Sequence, residues 1–256
     1  MTIKVVLFDM GGTIENLNYD HASRIVATKE LLAFLKSEHL AVDADPETLL
    51  QQIERACKDY RAESERTMRE APAAEVWSRW YLRDYRLPQA EIGRMAEDLA
   101  WIWETRFYTR TIRPGASEAF AALKERGFRL GIISNTSSRT QVFRMLESYG
   151  IREFFECVCL SSISGIRKPD PAIFREGLDL LGVRREEAAY VGDTISRDIA
   201  GAKAAGYALA FQIHSFLTKD RDGGLEGSLP GPDYMIQDLR EIAGILDRIS
   251  TAALPA

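Results

Sequence analysis

After Arg113-Pro114-Gly115 the chain alternates regularly: a helix over 116–126, a strand over 128–133, a helix over 138–149, a strand near 156–160, a helix over 170–182, a strand over 188–191, a helix over 196–205 and a strand over 207–211. Such alternation calls for βαβ units and a parallel sheet, because parallel neighbours must be joined by a crossover and a helix is the usual one. The sheet needs one more strand, and it stands at the other end of the sequence. Residues 3–8, IKVVLF, are an apolar, β-branched run cut off by Asp9-Met10-Gly11-Gly12-Thr13, whose two glycines permit a tight turn. Between these parts the pattern is helical, over 21–40, 46–70, 75–85 and 89–108, with Asp45-Pro46 and Leu87-Pro88 as punctuation and no strand expected among them. The predicted architecture is therefore an α/β, parallel-sheet, Rossmann-like core of residues 1–14 and 113–256, with an all-helical domain, residues 15–112, inserted after the first strand.

Residues 218–233 are rich in Gly and Pro and read as a loop before a last short strand, Tyr234–Ile236, and a closing helix near 238–250; the tail, 251–256, is expected to fray. All four tryptophans, Trp77, Trp80, Trp101 and Trp103, fall in the insertion, where burial in a small helical core is the expected role. Three cysteines, Cys57, Cys157 and Cys159, are an odd number with no disulfide framework. Cys157 and Cys159 are expected to point to opposite faces of a strand and so to form no metal or redox pair. Lys+Arg 33 against Asp+Glu 38 gives a net charge of −5, which argues against a nucleic-acid-gripping scaffold. No run of 18 apolar residues occurs, so no membrane-spanning helix is expected, and a reducing cytosol is the default compartment. Oligomeric state is left open.

Ligands of an open parallel sheet bind beyond the carboxyl ends of its strands. Those positions carry Asp9 after the first strand, Ser134 and Asn135 after the second, and Asp193 and Thr194 after 188–191, with Asp198 on the helix that follows; Lys168 precedes Pro169-Asp170-Pro171, where a helix begins. Taken singly, Asp9 reads as a turn or cap residue, Lys168 as a solvated charge and Asp198 as a partner of a helix dipole. Taken together, two or three carboxylates from different strands make a hard-oxygen site suited to Mg²⁺, which keeps several waters and pairs with phosphate. A lysine and a hydroxyl beside them complete a cradle for an oxyanion.

The stretches FDMGGT (8–13), IISNT (132–136), KPDPAIF (168–174) and VGDTISRDIAGAKAAG (191–206), in this order across the core, resemble the four motifs of the haloacid dehalogenase-like hydrolases, a superfamily dominated by phosphatases. The resemblance implies that the insertion is a cap that closes over the site and selects substrate. It implies that Asp9 attacks phosphorus to form an aspartyl-phosphate, and that Ser134, Asn135 and Lys168 hold the phosphoryl oxygens. It further implies that Mg²⁺ is bound by Asp9, the Gly11 backbone carbonyl and Asp193, with Asp198 as a further or water-mediated ligand. Thr13 and Thr194 then hold loops, and Gly192 and Gly206 serve the backbone.

One position departs from the family pattern. Phosphatases of this kind carry a second Asp two residues after the nucleophile, as acid toward the leaving group and base toward water, and here that position is Gly11. Proton transfer is worth about 10²–10⁴-fold, so an alkoxide leaves slowly unless the leaving group is already good or the insertion lends an acid, with Glu15, His21 and Lys29 as candidates. The expected activity is Mg²⁺-dependent hydrolysis of a small phosphorylated metabolite, with no nucleic-acid or membrane partner. Three alternatives stand beside it: carbon–phosphorus cleavage through a Schiff-base lysine (Lys29, Lys36 or Lys58), metal-free carbon–halogen cleavage, and a regulatory module that binds phosphate without fast turnover. Arg24, Arg55, Arg61, Arg66 and Arg69 read mainly as solvated helix faces.

Overall fold

The computed structural model describes residues 2–225 and 227–252. In chain order its elements are β1 (Val5–Phe8), β2 (Glu15–Asn18), α1 (His21–Ser37), α2 (Pro46–Thr67), α3 (Ala73–Glu75) running into a π-helical turn (Val76–Tyr81), α4 (Gln89–Arg106), β3 (Thr109–Ile112), α5 (Ala116–Glu125), β4 (Arg129–Ser134) and α6 (Gln141–Ser148). There follow β5 (Phe155–Leu160), α7 (Ser161–Ser164), α8 (Pro171–Leu181), β6 (Ala188–Gly192), a second π-helical turn (Ile195–Ile199), α9 (Ala200–Ala205), β7 (Leu209–Ile213), α10 (Phe216–Asp222), β8 (Tyr234–Ile236) and α11 (Glu241–Ala252). The last four residues of the 251–256 tail lie outside the described residues.

Six strands pair in parallel in the order β5-β4-β1-β6-β7-β8. The central strand β1 is buried throughout, as a strand covered on both faces must be. Its side chains alternate: Val6 and Phe8 join Phe120, Leu146 and Ile242 on one face, while Val5 and Leu7 join Phe174, Leu178 and Tyr190 on the other. Register places Phe8 beside Ile132 on one neighbour and Val191 on the other, so the residues that follow all three strands emerge at one edge of the sheet. That edge is where Asp9, Ser134 and Asp193 stand.

The helices of the insertion close over a hydrophobic cluster of their own, drawn from residues 27–107. Trp77 and Trp103 are buried in it, with ring centroids 6.4 Å apart, and Trp80 packs against it. Trp101 instead leans on the core cluster, beneath the Arg144 guanidinium at 3.5 Å. Two carboxylates tie the insertion to the core. Glu70 accepts hydrogen bonds from Tyr60, Ser161 and Arg167, and Glu97 accepts from the Ser138 hydroxyl at 2.8 Å.

Three expectations need correction. The insertion is not wholly helical, because β2 and β3 pair as an antiparallel ribbon at its base, Leu17 opposite Arg110. The segment ENLN (15–18) has only one apolar residue, and tertiary pairing rather than strand propensity fixes it. The 218–233 loop begins with α10 instead. Its start is a capping box in which Ser215 accepts from Leu217 N–H at 3.0 Å and Ser215 N–H donates to Thr218. Finally, Cys157 and Cys159 lie on the same face of β5, as residues two apart on a strand must, and both are buried in one apolar cluster with no metal-ligating neighbours among the described residues. Among the described residues no helix is long and apolar enough to cross a membrane.

Candidate active site

Asp9 continues β1 by donating its N–H to the Val191 carbonyl at 2.9 Å, which fixes its side chain at the sheet edge. Lys168 reaches the same point from the other side. Asn135 holds its main chain at both ends, accepting from Lys168 N–H at 2.9 Å and donating to Lys168 C=O at 3.0 Å. The buried Lys168 ammonium then donates to Asp9 at 2.5 Å, to Asp198 at 2.7 Å and to the Ile133 carbonyl at 3.0 Å, and lies 3.0 Å from the Tyr190 hydroxyl. Burial alone would lower the Lys168 pKa, but the Asp198 and Asp9 charges outweigh it and hold the ammonium protonated.

Asp198 is saturated by protein donors. One oxygen faces Lys168 and Tyr190, and the other accepts from the Thr194 N–H at 3.1 Å and from the Thr194 hydroxyl. Its carboxyl is held below the ordinary range: burial opposes ionisation, and the Lys168 and Arg197 charges overcome it. Asp198 thus positions Lys168 and the loop after β6 rather than decorating a helix dipole. Asp193 is the opposite case. Ser215 donates to its Oδ2, whereas the buried Oδ1 has no hydrogen-bond partner among the described residues. Burial, with Asp198 and Asp9 beside it, pushes its carboxyl up to about 8.

Oxygens of Asp9, Asp193 and Asp198 lie within 4.8 Å of one another. Three carboxylates against the Lys168 ammonium and the nearby Arg197 guanidinium still leave negative charge in excess, and the unpartnered Asp193 Oδ1 is a buried acceptor that a hard divalent cation would satisfy. The Gly11 carbonyl beside them accepts no hydrogen bond among the described residues. Donor set and charge therefore fit Mg²⁺. Gly12 makes the approach possible: at φ +94° a Cβ there would sit 2.3 Å from Asp193 Oδ2.

Asp9, Gly11 and Asp198 open onto a cavity of about 160 Å³. Its floor is Asp9, Gly11, Ser134, Lys168 and Asp198, and its roof comes from the insertion, with Tyr60, Arg61, Tyr81, Trp103 and Tyr108. The Ser134 hydroxyl makes no hydrogen bond among the described residues and faces this space. Beside Gly11 the neighbours of a Cβ would be Leu17 Cδ1 at 3.1 Å and an Arg110 nitrogen at 3.7 Å. Arg110 is buried between Glu15 and Glu104, and burial raises the pKa of Glu104, which lines the cavity.

The acids expected to replace the one missing at Gly11 do not reach the cavity. Glu15 is buried away from it against Arg110 and the Tyr149 hydroxyl, His21 is exposed beside Glu47, and Lys29 is exposed. Of the proposed Schiff-base lysines, Lys29 and Lys36 are exposed and Lys58 lines only an outer recess, so none borders Asp9. Arg55, Arg66 and Arg69 are solvated, but Arg61 faces inward. Arg167, Arg197, Arg221 and Tyr190 were not singled out by sequence; Arg167 adjoins Lys168 and Arg197 adjoins Asp198, and that adjacency was the available signal. The unforeseen α10 also matters here. Its Thr218 donates to the Asp193 carbonyl at 3.0 Å, and its Asp222 accepts from the N–H groups of Ile195 and Ser196, so it pins the loop carrying both acidic residues.

A glyceraldehyde 3-phosphate phosphatase of Methanopyrus kandleri is 26% identical over 250 residues, covering 97% of this chain and 99% of that protein. The bovine (Bos taurus) haloacid dehalogenase-like hydrolase domain-containing protein 3 is 33% identical over 142 residues, 54% of this chain and 53% of that protein, so the match spans about half its length. Among solved structures, a 2-haloacid dehalogenase of Pseudomonas syringae pv. Tomato superposes with a TM-score of 0.65 at 25% identity, covering 97% of this chain and all (100%) of that one. The profile of the haloacid dehalogenase-like hydrolases matches residues 3–206, the stretch that carries all four strand-end motifs and the helical insertion, and the chain belongs to that family.

Proposed function

We propose that the protein is a Mg²⁺-dependent phosphohydrolase of a small phosphorylated metabolite, acting in the cytosol, with residues 1–14 and 113–256 as the catalytic core and 15–112 as a cap that selects substrate. The observation that carries this reading is the pairing of Asp9 with the buried Lys168 beside an Asp193 oxygen that has no donor among the described residues. The likeness to a glyceraldehyde 3-phosphate phosphatase supports the phosphate chemistry.

Asp9, Asp193 and the Gly11 carbonyl would hold the cation, with Asp198 anchoring Lys168 behind them. When bound, Mg²⁺ supplies charge neutralisation for the phosphoryl oxygens. An Asp9 carboxylate oxygen attacks phosphorus, the bond from phosphorus to the leaving oxygen breaks, and that oxygen takes the electron pair. Water then attacks the aspartyl-phosphate at phosphorus, releasing inorganic phosphate and restoring Asp9. Lys168 keeps Asp9 ionised and in place, and the Ser134 hydroxyl donates to a phosphoryl oxygen as its charge is redistributed. Asn135 acts mainly by clamping Lys168, and through it the nucleophile. Gly11 cannot protonate the leaving oxygen, so good leaving groups are favoured over alkoxides.

Phosphate release from acetyl phosphate, p-nitrophenyl phosphate and sugar phosphates, with and without Mg²⁺, tests the proposal. Turnover is expected to need the cation, to vanish in Asp9→Asn, and to fall from acyl to alkyl phosphates. Undiminished turnover in Asp9→Asn would end it, and phosphate release that survives chelation would remove the cation from the reading.

A further inference from the structure

The two segments that carry Ser134 and Lys168 are tied together by a residue of neither. Helix α2 ends at Met68, which turns left-handed at φ +54°, and residues 68–70 of the insertion then run against 165–167 of the core. Arg167 N–H donates to the Met68 carbonyl at 3.0 Å, Glu70 N–H donates to the Gly165 carbonyl at 3.1 Å, and Arg69 pairs antiparallel with Ile166. A left-handed conformation is uncommon for a residue with a Cβ, and here it directs the insertion onto the stretch that leads into Lys168.

This pairing carries the buried Glu70 side chain between that stretch and the loop after β4. Its Oε2 accepts from Arg167 and from the Ser161 hydroxyl at 2.7 Å, and its Oε1 accepts from Tyr60 of the insertion. Ser161 in turn accepts from Thr136 N–H at 2.9 Å. The Thr136 carbonyl lies 3.2 Å from the same hydroxyl, but the single proton goes to the nearer, charged acceptor, which makes the stronger bond. One carboxylate therefore reaches Thr136, two residues after Ser134, and Arg167, one residue before Lys168. Asn135 joins the same two segments from within the core, so Glu70 is a second tie, supplied by the other domain.

We propose that Glu70 is a positioning residue: through Ser161 and Thr136 it sets Ser134, and through Arg167 it sets Lys168, so that docking of the insertion and assembly of the phosphate cradle are one event. The inference rests on the reading of Asp9, Ser134 and Lys168 as the phosphoryl-transfer groups. Misplacement of such groups by about 1 Å costs on the order of 10²-fold in rate, so a tie this close to both has leverage on turnover.

The test compares full-length Glu70→Gln, Ser161→Ala and Arg144→Met with the wild-type protein in Mg²⁺, at a temperature where near-UV circular dichroism shows each to be folded. The kcat for acetyl phosphate is expected to fall about tenfold or more in Glu70→Gln. Ser161→Ala should lower it in the same direction, and the double variant should lie within about threefold of Glu70→Gln alone, because both residues act along one chain of bonds. Ser161→Ala reads the same link if Glu70→Gln fails to fold. Arg144→Met removes a guanidinium that packs 3.5 Å from the Trp101 ring of the insertion, away from the cradle, and should leave kcat unchanged. Hydrogen exchange read by mass spectrometry should speed up at 134–140 and 165–168 in Glu70→Gln, with β6 unaffected. Unchanged kcat in the folded variants, an equal loss in Arg144→Met, or faster exchange confined to the insertion would overturn the role. If the wild-type protein turns over acetyl phosphate and Glu70→Gln matches it, only the positioning role fails. If the wild-type protein releases no phosphate, the phosphohydrolase reading fails, and the exchange rates still decide whether Glu70 orders the two segments.

Discussion

Removing the cation should make the fold itself pH-sensitive through Asp193. Its carboxyl sits at about 8 in the folded state against an ordinary 3.8. A carboxyl whose folded pKa is raised binds its proton more tightly folded than unfolded, so its contribution is fully present below about pH 4 and is lost as pH rises through about 8. The interval of about four units corresponds to about 6 kcal/mol at about 1.4 kcal/mol per unit. Asp193→Asn keeps the shape and removes the titration. In EDTA, urea unfolding of the two proteins should give nearly equal stability at about pH 4, with the Asn variant ahead by about 6 kcal/mol above pH 8. In thermal melts of a chain this size the gap should read as about 12–24 °C. Saturating Mg²⁺ should close it by stabilising the wild-type protein more than the variant, because ligand binding to the folded state alone raises stability by mass action. A difference that stays flat with pH, or a metal-free Asn variant that is the less stable at alkaline pH, would refute the account of Asp193 as a charge awaiting a cation.

Asp9→Asn should abolish phosphate release with the near-UV circular dichroism unchanged. Lys168→Met leaves Asp9 and Asp198 facing each other without their shared ammonium, and chemical denaturation at neutral pH should show a loss of about 3–5 kcal/mol that lessens on acidification as a carboxyl takes up a proton. Gly11→Asp should raise alkyl phosphate hydrolysis by about 10²-fold with little effect on acetyl phosphate; Leu17 Cδ1, at 3.1 Å from the new Cβ, has to yield by a few tenths of an ångström. Gly12→Ala drives a Cβ toward Asp193, and Mg²⁺ titrations should show affinity weakened by about tenfold or more.

The fold was legible where one period ruled a segment. β1 and β6 are buried on both faces and read as unbroken apolar runs, each followed by a carboxylate, Asp9 or Asp193, and β4 and β7 keep a mostly apolar run interrupted only by Arg129 and Ser134 at the ends of β4 and by Gln212 in β7. Legibility failed where tertiary contact did the work. The β2–β3 ribbon forms because Arg110 bridges back to Glu15, a link across 95 positions that no local pattern announces. α10 hid within a charged segment, FLTKDRD, whose order comes from its cap and from contacts with the loop after β6. Boundaries slipped for the same reason: β7 begins at Leu209, two residues later than predicted, because Gly206 closes α9 in a left-handed conformation and Tyr207 hydrogen-bonds back to Ala202.

At the site, sequence order could bring forward Asp9, Ser134, Asn135, Lys168, Asp193 and Asp198 because all six follow strands or open helices at one sheet edge, where geometry concentrates chemistry. It could not rank them. Asp193 and Asp198 look alike in the string GDTISRD, yet one is left with a buried unpartnered oxygen and the other is saturated by Lys168, Tyr190 and Thr194. That difference is set by Ser215 and Gly12 on one side and by Lys168 on the other, all distant in sequence. The same holds for the arginines. Arg61 and Arg66 lie on one helix and read alike as solvated charge, but of the two only Arg61 lines the cavity. Which face of a helix meets the site is a property of the assembled walls, and no local pattern of charge announces it.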